Sequence, residues 1–193
     1  IYAGGILNYE RVDAFTDRAA VLGFNMQFRN NWGYEITLTS GRSRDLDKEF
    51  NSYELNLSSW CNISPKWNAN VWGGYSKTYN FSRNYLAFYS SLGSNFSWHA
   101  LKVLDLGTSF NLFVEGNPDN KIQDITWNAR PFFSLTPLND LNIRVYIDNV
   151  FVRSTKHVER IIAGFLFSYS FLPKSWIYLA INEIHDRSNE FDS

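Results

Sequence analysis

The 193-residue sequence predicts an all-β protein, an antiparallel up-and-down transmembrane β-barrel with about eleven strands visible and at least one missing. Three observations carry this expectation. Apolar and polar residues alternate with a period of two almost throughout, which marks strands with two chemically different faces. The alternating segments run about 9 to 13 residues, longer than the usual 5 or 6 of soluble sheets and close to what a tilted membrane strand needs. The links between them alternate short and long, as they do in a meander whose short turns all fall at one end.

The alternation is clearest mid-chain, where Leu104, Leu106, Thr108, Phe110, Leu112 and Val114 interleave with Asp105, Gly107, Ser109, Asn111 and Glu115, and Phe113 breaks the pattern. Downstream, Ile125, Trp127, Ala129, Pro131, Phe133 and Leu135 oppose Thr126, Asn128, Arg130 and Ser134, and Leu141, Ile143, Val145 and Ile147 oppose Asn142, Arg144, Tyr146 and Asp148. Upstream, Leu22, Phe24, Met26 and Phe28 oppose Asn25, Gln27 and Arg29. Tyr34, Ile36 and Leu38 oppose Glu35, Thr37 and Thr39, and Tyr53, Leu55 and Leu57 oppose Glu54, Asn56 and Ser58. The segments 67–75, 86–98 and 161–171 repeat the rule, and 1–11 and 176–183 complete eleven strands.

Short connections are expected at 30–33, 62–66, 99–102, 136–140 and 172–175, and longer polar loops at 13–18, 41–51, 77–84, 116–123 and 153–160. Trp32, Trp60, Trp67, Trp98 and Trp176, five of the seven tryptophans, flank the short turns. An amphipathic indole prefers the boundary between hydrocarbon and headgroups, so these five are the expected membrane-interface girdle. An odd strand number does not close an ordinary antiparallel barrel. Residues 1–193 are therefore expected to be a single barrel domain, either a fragment of a longer protein or one whose closing strand comes from another part of it.

Composition agrees. Aromatics supply 18% of the residues and charged side chains only 19%, low for a surface bathed entirely in water. The net charge of -1 offers no basic field for nucleic acid. The single Cys61 excludes an internal disulfide framework and a multi-cysteine metal site. The longest apolar stretch, 161–172, is too short for a spanning helix.

The stretches 130–137 (Arg-Pro-Phe-Phe-Ser-Leu-Thr-Pro), 142–145 (Asn-Ile-Arg-Val) and 167–179 (Phe-Ser-Tyr-Ser-Phe-Leu-Pro-Lys-Ser-Trp-Ile-Tyr-Leu) resemble the C-terminal barrel of domain-of-unknown-function family 5916. The resemblance implies an outer-membrane protein of Bacteroidota-type bacteria, with a periplasmic domain similar to family 9 carbohydrate-binding modules ahead of the barrel. It carries over no functional residue.

Charge on the polar face is tolerated in a barrel lumen, so Arg29, Glu35, Glu54, Asp105, Arg130, Arg144 and Asp148 are the candidate lumen-lining residues, either as a paired, hydrated plug or along a solute path. Tyr89, Tyr146, Tyr178 and Trp72 share that side and are candidates to stack on sugar rings. The expected setting is the lipid bilayer of a bacterial outer membrane, with a glycan-like solute in the lumen. The alternative is a structural barrel that docks a partner protein or lipoprotein on its long loops. No cofactor, metal or nucleic acid is expected. A rim hydrolase of lipids or esters is disfavoured because His99, His157 and His185 fall in separate connections without metal-ligand spacing.

Overall fold

The computed structural model describes residues 1–10, 15–45, 48–172 and 175–186. They form eleven strands: β1 (Tyr2–Glu10), β2 (Phe15–Phe28), β3 (Trp32–Asp45), β4 (Lys48–Ser64), β5 (Trp67–Asn80), β6 (Tyr85–Leu101), β7 (Leu104–Gly116), β8 (Ile122–Leu138), β9 (Leu141–Val152), β10 (His157–Leu172) and β11 (Ser175–Asp186). Strand order follows the sequence from β1 to β11 in a single up-and-down antiparallel sheet that is not closed. The all-β class and the eleven strands are as the alternation predicts. The polar residues from His185 to Ser193, which read as a further long loop, lie mostly outside the described residues.

The register places like with like. Across β2, β3 and β4, Leu22, Leu38 and Leu55 form one row, and Phe24, Ile36 and Leu57 form another. Between those rows, Asn25 faces Glu35 and Ser58, and Gly23 faces Thr37 and Asn56. From β8 to β11, Phe133, Val145, Phe165 and Ile181 form an apolar row, beside a row of Phe132, Tyr146, Gly164 and Asn182. A slip of one residue would exchange the faces of a whole strand, so the alternation itself fixes the register.

Among the described residues, no layer packs on the apolar face. Among the described residues Ala87 is the one buried hydrophobic side chain, while Leu38, Leu57, Val71, Leu92, Phe133, Ile147 and Ile161 stay exposed. A soluble domain of this length would bury much of that surface, because apolar area left in water costs about 25 cal/mol per Å2.

The connections differ from expectation. The strands reach 17 residues, and the expected long loop 41–51 is mostly ladder, with β3 and β4 paired as far as Asp45 and Lys48. Likewise β9 ends at Val152 and β10 starts at His157, leaving four residues between them. Backbone N–H and C=O groups need partners, and an extended hairpin ladder supplies them. Turn chemistry is local. Asn84, Asn120 and Lys156 close loop-end turns, and Asn31 a short turn, each at a positive φ between 55° and 59°. Asn117 Oδ1 accepts the amides of Asp119 and Lys121, the self-capping that suits asparagine to turns.

By packing, the chain divides into two compact units: a first of Ile1–Cys61, Val71–Leu92 and Phe113–Ile125, and a second of Asn62–Asn70, Gly93–Leu112 and Thr126–Ser193.

Candidate functional site

The polar face carries the charged candidates, and each unit arranges them differently. In the first unit Glu35 on β3 accepts hydrogen bonds from the Tyr2 hydroxyl at 2.6 Å and from Asn25 Nδ2 at 3.2 Å. Tyr2 reaches it across β2 because its cross-strand partner is Gly23, over which the ring lies; a Cβ there would enter the ring. The Tyr2 hydroxyl also lies 2.9 Å from Thr37 Oγ1. Glu54 on β4 accepts from Asn56 at 2.7 Å. Neither Glu35 nor Glu54 has an ion-pair partner among the described residues.

Beside Glu35 lies a cavity of about 340 Å3, lined by Thr37, Asn56, Ser58, Trp72 and Ser91 among others. Its space comes from the small side chains of Thr37, Ser58 and Ser91. The room, a carboxylate, hydroxyls and amides, and the Trp72 indole together suit a polyhydroxylated solute, which stacks its ring on an aromatic and hydrogen-bonds at its edge. Nearer the loop end of the same unit, Tyr89 stacks on Phe113, 5.4 Å between centroids, which accounts for the break that Phe113 makes in the alternation. Glu115 there takes Arg83 at 3.0 Å.

In the second unit the same face is filled. Arg130 binds Asp148 at 2.6 and 3.0 Å through two nitrogens, and Asn128 also donates to that carboxylate. Arg130 lies 4.8 Å from the centre of the Tyr146 ring. Tyr146 in turn crosses Gly164 to donate to Asn182 at 2.9 Å, the same tyrosine-over-glycine brace as Tyr2. Arg144 lies 4.1 Å over the Phe132 ring, and its Nε is buried without a hydrogen-bond partner. Asp105 is held by His99.

Two groups of candidates sit elsewhere than expected. Arg29 lies in the 29–31 turn, beyond the end of β2, because the chain reverses there through Asn31. Of the five girdle tryptophans, Trp32, Trp67 and Trp98 do lie on the apolar face, Trp32 stacked on Phe28 and Trp67 on Trp98. Trp60 and Trp176 face the polar side: Trp60 covers Gly33, and Trp176 stacks along β11 on Tyr178. Indole was assigned by nearness to a turn, but parity decides its face. The histidines expected in connections stand inside strand ends, in β6, β10 and β11, since those strands run longer than expected. Among the described residues no group of three His, Cys, Asp or Glu side chains could hold a metal.

Sequence reading missed Tyr2, Asn25, Thr37, Asn56 and Ser91. Tyr2 gave no signal in the sequence, because its place across from Gly23 depends on the register between β1 and β2. Trp127, which the alternation puts on the apolar face, stacks there on Phe151.

No family model matches this chain, and no curated protein matches it. Among solved structures, a NanC porin in a rhombohedral crystal form aligns with 93% of this chain and 85% of its own, at 10% identity and a TM-score of 0.46.

Proposed function

We propose that this chain is the membrane-spanning part of a bacterial outer-membrane β-barrel, with its polar face lining a lumen that passes a neutral, glycan-like solute. The observation that carries this is the apolar face, continuous along the strands and uncovered, with Ala87 as the one buried hydrophobic side chain among the described residues. Such a face is stable only against lipid or an equally large apolar partner. Trp32, Trp67 and Trp98 near the short turns mark one membrane boundary. The solute reading is supported by the cavity beside Glu35 and Trp72. The likeness to the family 5916 barrel supports service to a carbohydrate-related periplasmic module.

Reconstitution tests both levels. Refolded into phosphatidylcholine vesicles, the chain should resist proteolysis within its strands. In planar bilayers it should give discrete openings that close with added maltohexaose, and Trp72→Ala should weaken that closure. Insertion with electrical silence would replace the solute path with a purely structural barrel.

A further inference from the structure

At the loop end of the first unit, the lipid-directed face changes from apolar to basic. Arg18 on β2 stands directly opposite Arg42 on β3, and Arg42 opposite Asn51 on β4. Arg18, Arg42, Ser40, Asn51 and Tyr53 line a cavity of about 390 Å3 there. Like charges in direct cross-strand register destabilise a sheet, so this pairing calls for an anion. One strand row further out, Arg44 faces Glu49, which accepts hydrogen bonds from Arg42 and, at 2.7 Å, from Arg44. Glu49 is thus shared by Arg42 and Arg44, and Arg18 has no ion-pair partner among the described residues.

Depth identifies the anion. Along β3, Arg42 is ten residues from the interface residue Trp32. At about 3.3 Å per residue that is roughly 33 Å, and a strand tilt of about 40° reduces it to about 25 Å along the membrane normal. That is the height of a barrel's apolar band. The two arginines therefore stand where hydrocarbon gives way to headgroups at the loop-side leaflet. Tyr53, half exposed beside them, is a residue type that settles at that level.

We propose that Arg18 and Arg42 form a docking site for the phosphate of an anionic lipid headgroup, with Asn51 and Ser40 as further hydrogen-bonding groups and the acyl chains lying along the row of Leu22, Leu38 and Leu55. The site rests on the membrane reading above. A guanidinium pair suits phosphate because each arginine presents a planar fork of donors.

The test refolds the full chain into phosphatidylcholine vesicles doped with phosphorylated lipid A, then measures lipid retained after extraction into neutral detergent by native mass spectrometry. The protein should retain lipid A over phosphatidylcholine. Arg18→Gln and Arg42→Gln should each lower retention about fivefold and the double variant about twenty-five-fold, as expected for about one headgroup-level charge each. Arg18→Lys should keep most of it, and Lys102→Gln all of it. Insertion with equal retention by the double variant overturns the headgroup site alone. Failure to insert in any vesicle overturns the membrane reading and this site with it. Displacement of lipid A by millimolar inorganic phosphate would overturn the lipid assignment in favour of a free-anion site.

Discussion

The two units follow one alternation rule yet fill their polar faces in opposite ways. In the first unit the mid-strand face is small and acidic: Thr37, Asn56, Ser58 and Ser91 leave space around Glu35 and Trp72. In the second it is occupied by Arg130, Asp148, Tyr146, Phe132 and Arg144, stacked or paired with one another. Period-two patterning sets which residues share a face but says nothing about how much volume they enclose. Volume comes from residue size at each row, and that separates a wall that could admit a solute from one that holds strands together.

The largest effect is expected where the second unit's network is broken. Asp148→Ala strands Arg130 and Asn128 without their carboxylate. Removing one partner of a buried pair costs about 3 to 5 kcal/mol; because Arg130 is 43% exposed, about 2 kcal/mol is expected after screening by water. Urea unfolding in vesicles should register it. The matching change in the first unit, Glu54→Ala, should cost less than about 0.5 kcal/mol. Equal costs would end the distinction between a bracing face and an open one.

Next come the glycines under the tyrosine rings. Gly164→Ala and Gly23→Ala each drive a methyl into a ring, Tyr146 or Tyr2, and should cost about 1 to 3 kcal/mol. Gly4→Ala, with nothing within 4 Å of the added carbon, is the control expected to be neutral. Gly164→Ala should be the worse of the two, since Tyr146 also supports Arg130. A smaller effect on stability, below about 0.5 kcal/mol, is expected for Ser91→Phe, which fills the first unit's cavity. Its consequence should appear in planar bilayers instead, as a roughly twofold lower conductance.

Much of this was legible in the sequence. The strand number and both faces follow from alternation, because parity is a local property of the chain. Glu35, Glu54, Arg130, Arg144 and Asp148 were found by parity alone. What parity cannot give is register between strands, so the meeting of Tyr2 with Glu35 across Gly23 was hidden, as was Arg18 opposite Arg42. Loop lengths were misread for a different reason. Polar residues such as Arg42, Arg44 and Glu49 look like loop, yet the backbone ladder of β3 and β4 runs through them as an extended hairpin. Trp60 and Trp176 failed because turn proximity was given more weight than parity.

The finest test concerns Glu49, where one carboxylate is shared between two arginines. Glu49 lies beyond the 9 to 11 residues that β4 needs to span the bilayer. Hydrogen bonds from Arg42 and then Arg44 hold its carboxyl below the ordinary glutamate range. A depressed folded value means that its contribution is present above about pH 4.3, the unfolded value, and is lost as the pH falls through the folded one. Carboxyl NMR of the refolded chain should place its titration below that of a reference glutamate peptide, and Glu49→Gln should remove the matching acid-side loss of β3–β4 hairpin protection in hydrogen exchange. Protonation also releases Arg42 from Glu49 while a lipid phosphate keeps its first negative charge. Acid should therefore loosen the hairpin tip and raise lipid A retention together; a fall in both would place Glu49 among the groups that hold the headgroup rather than those that compete with it.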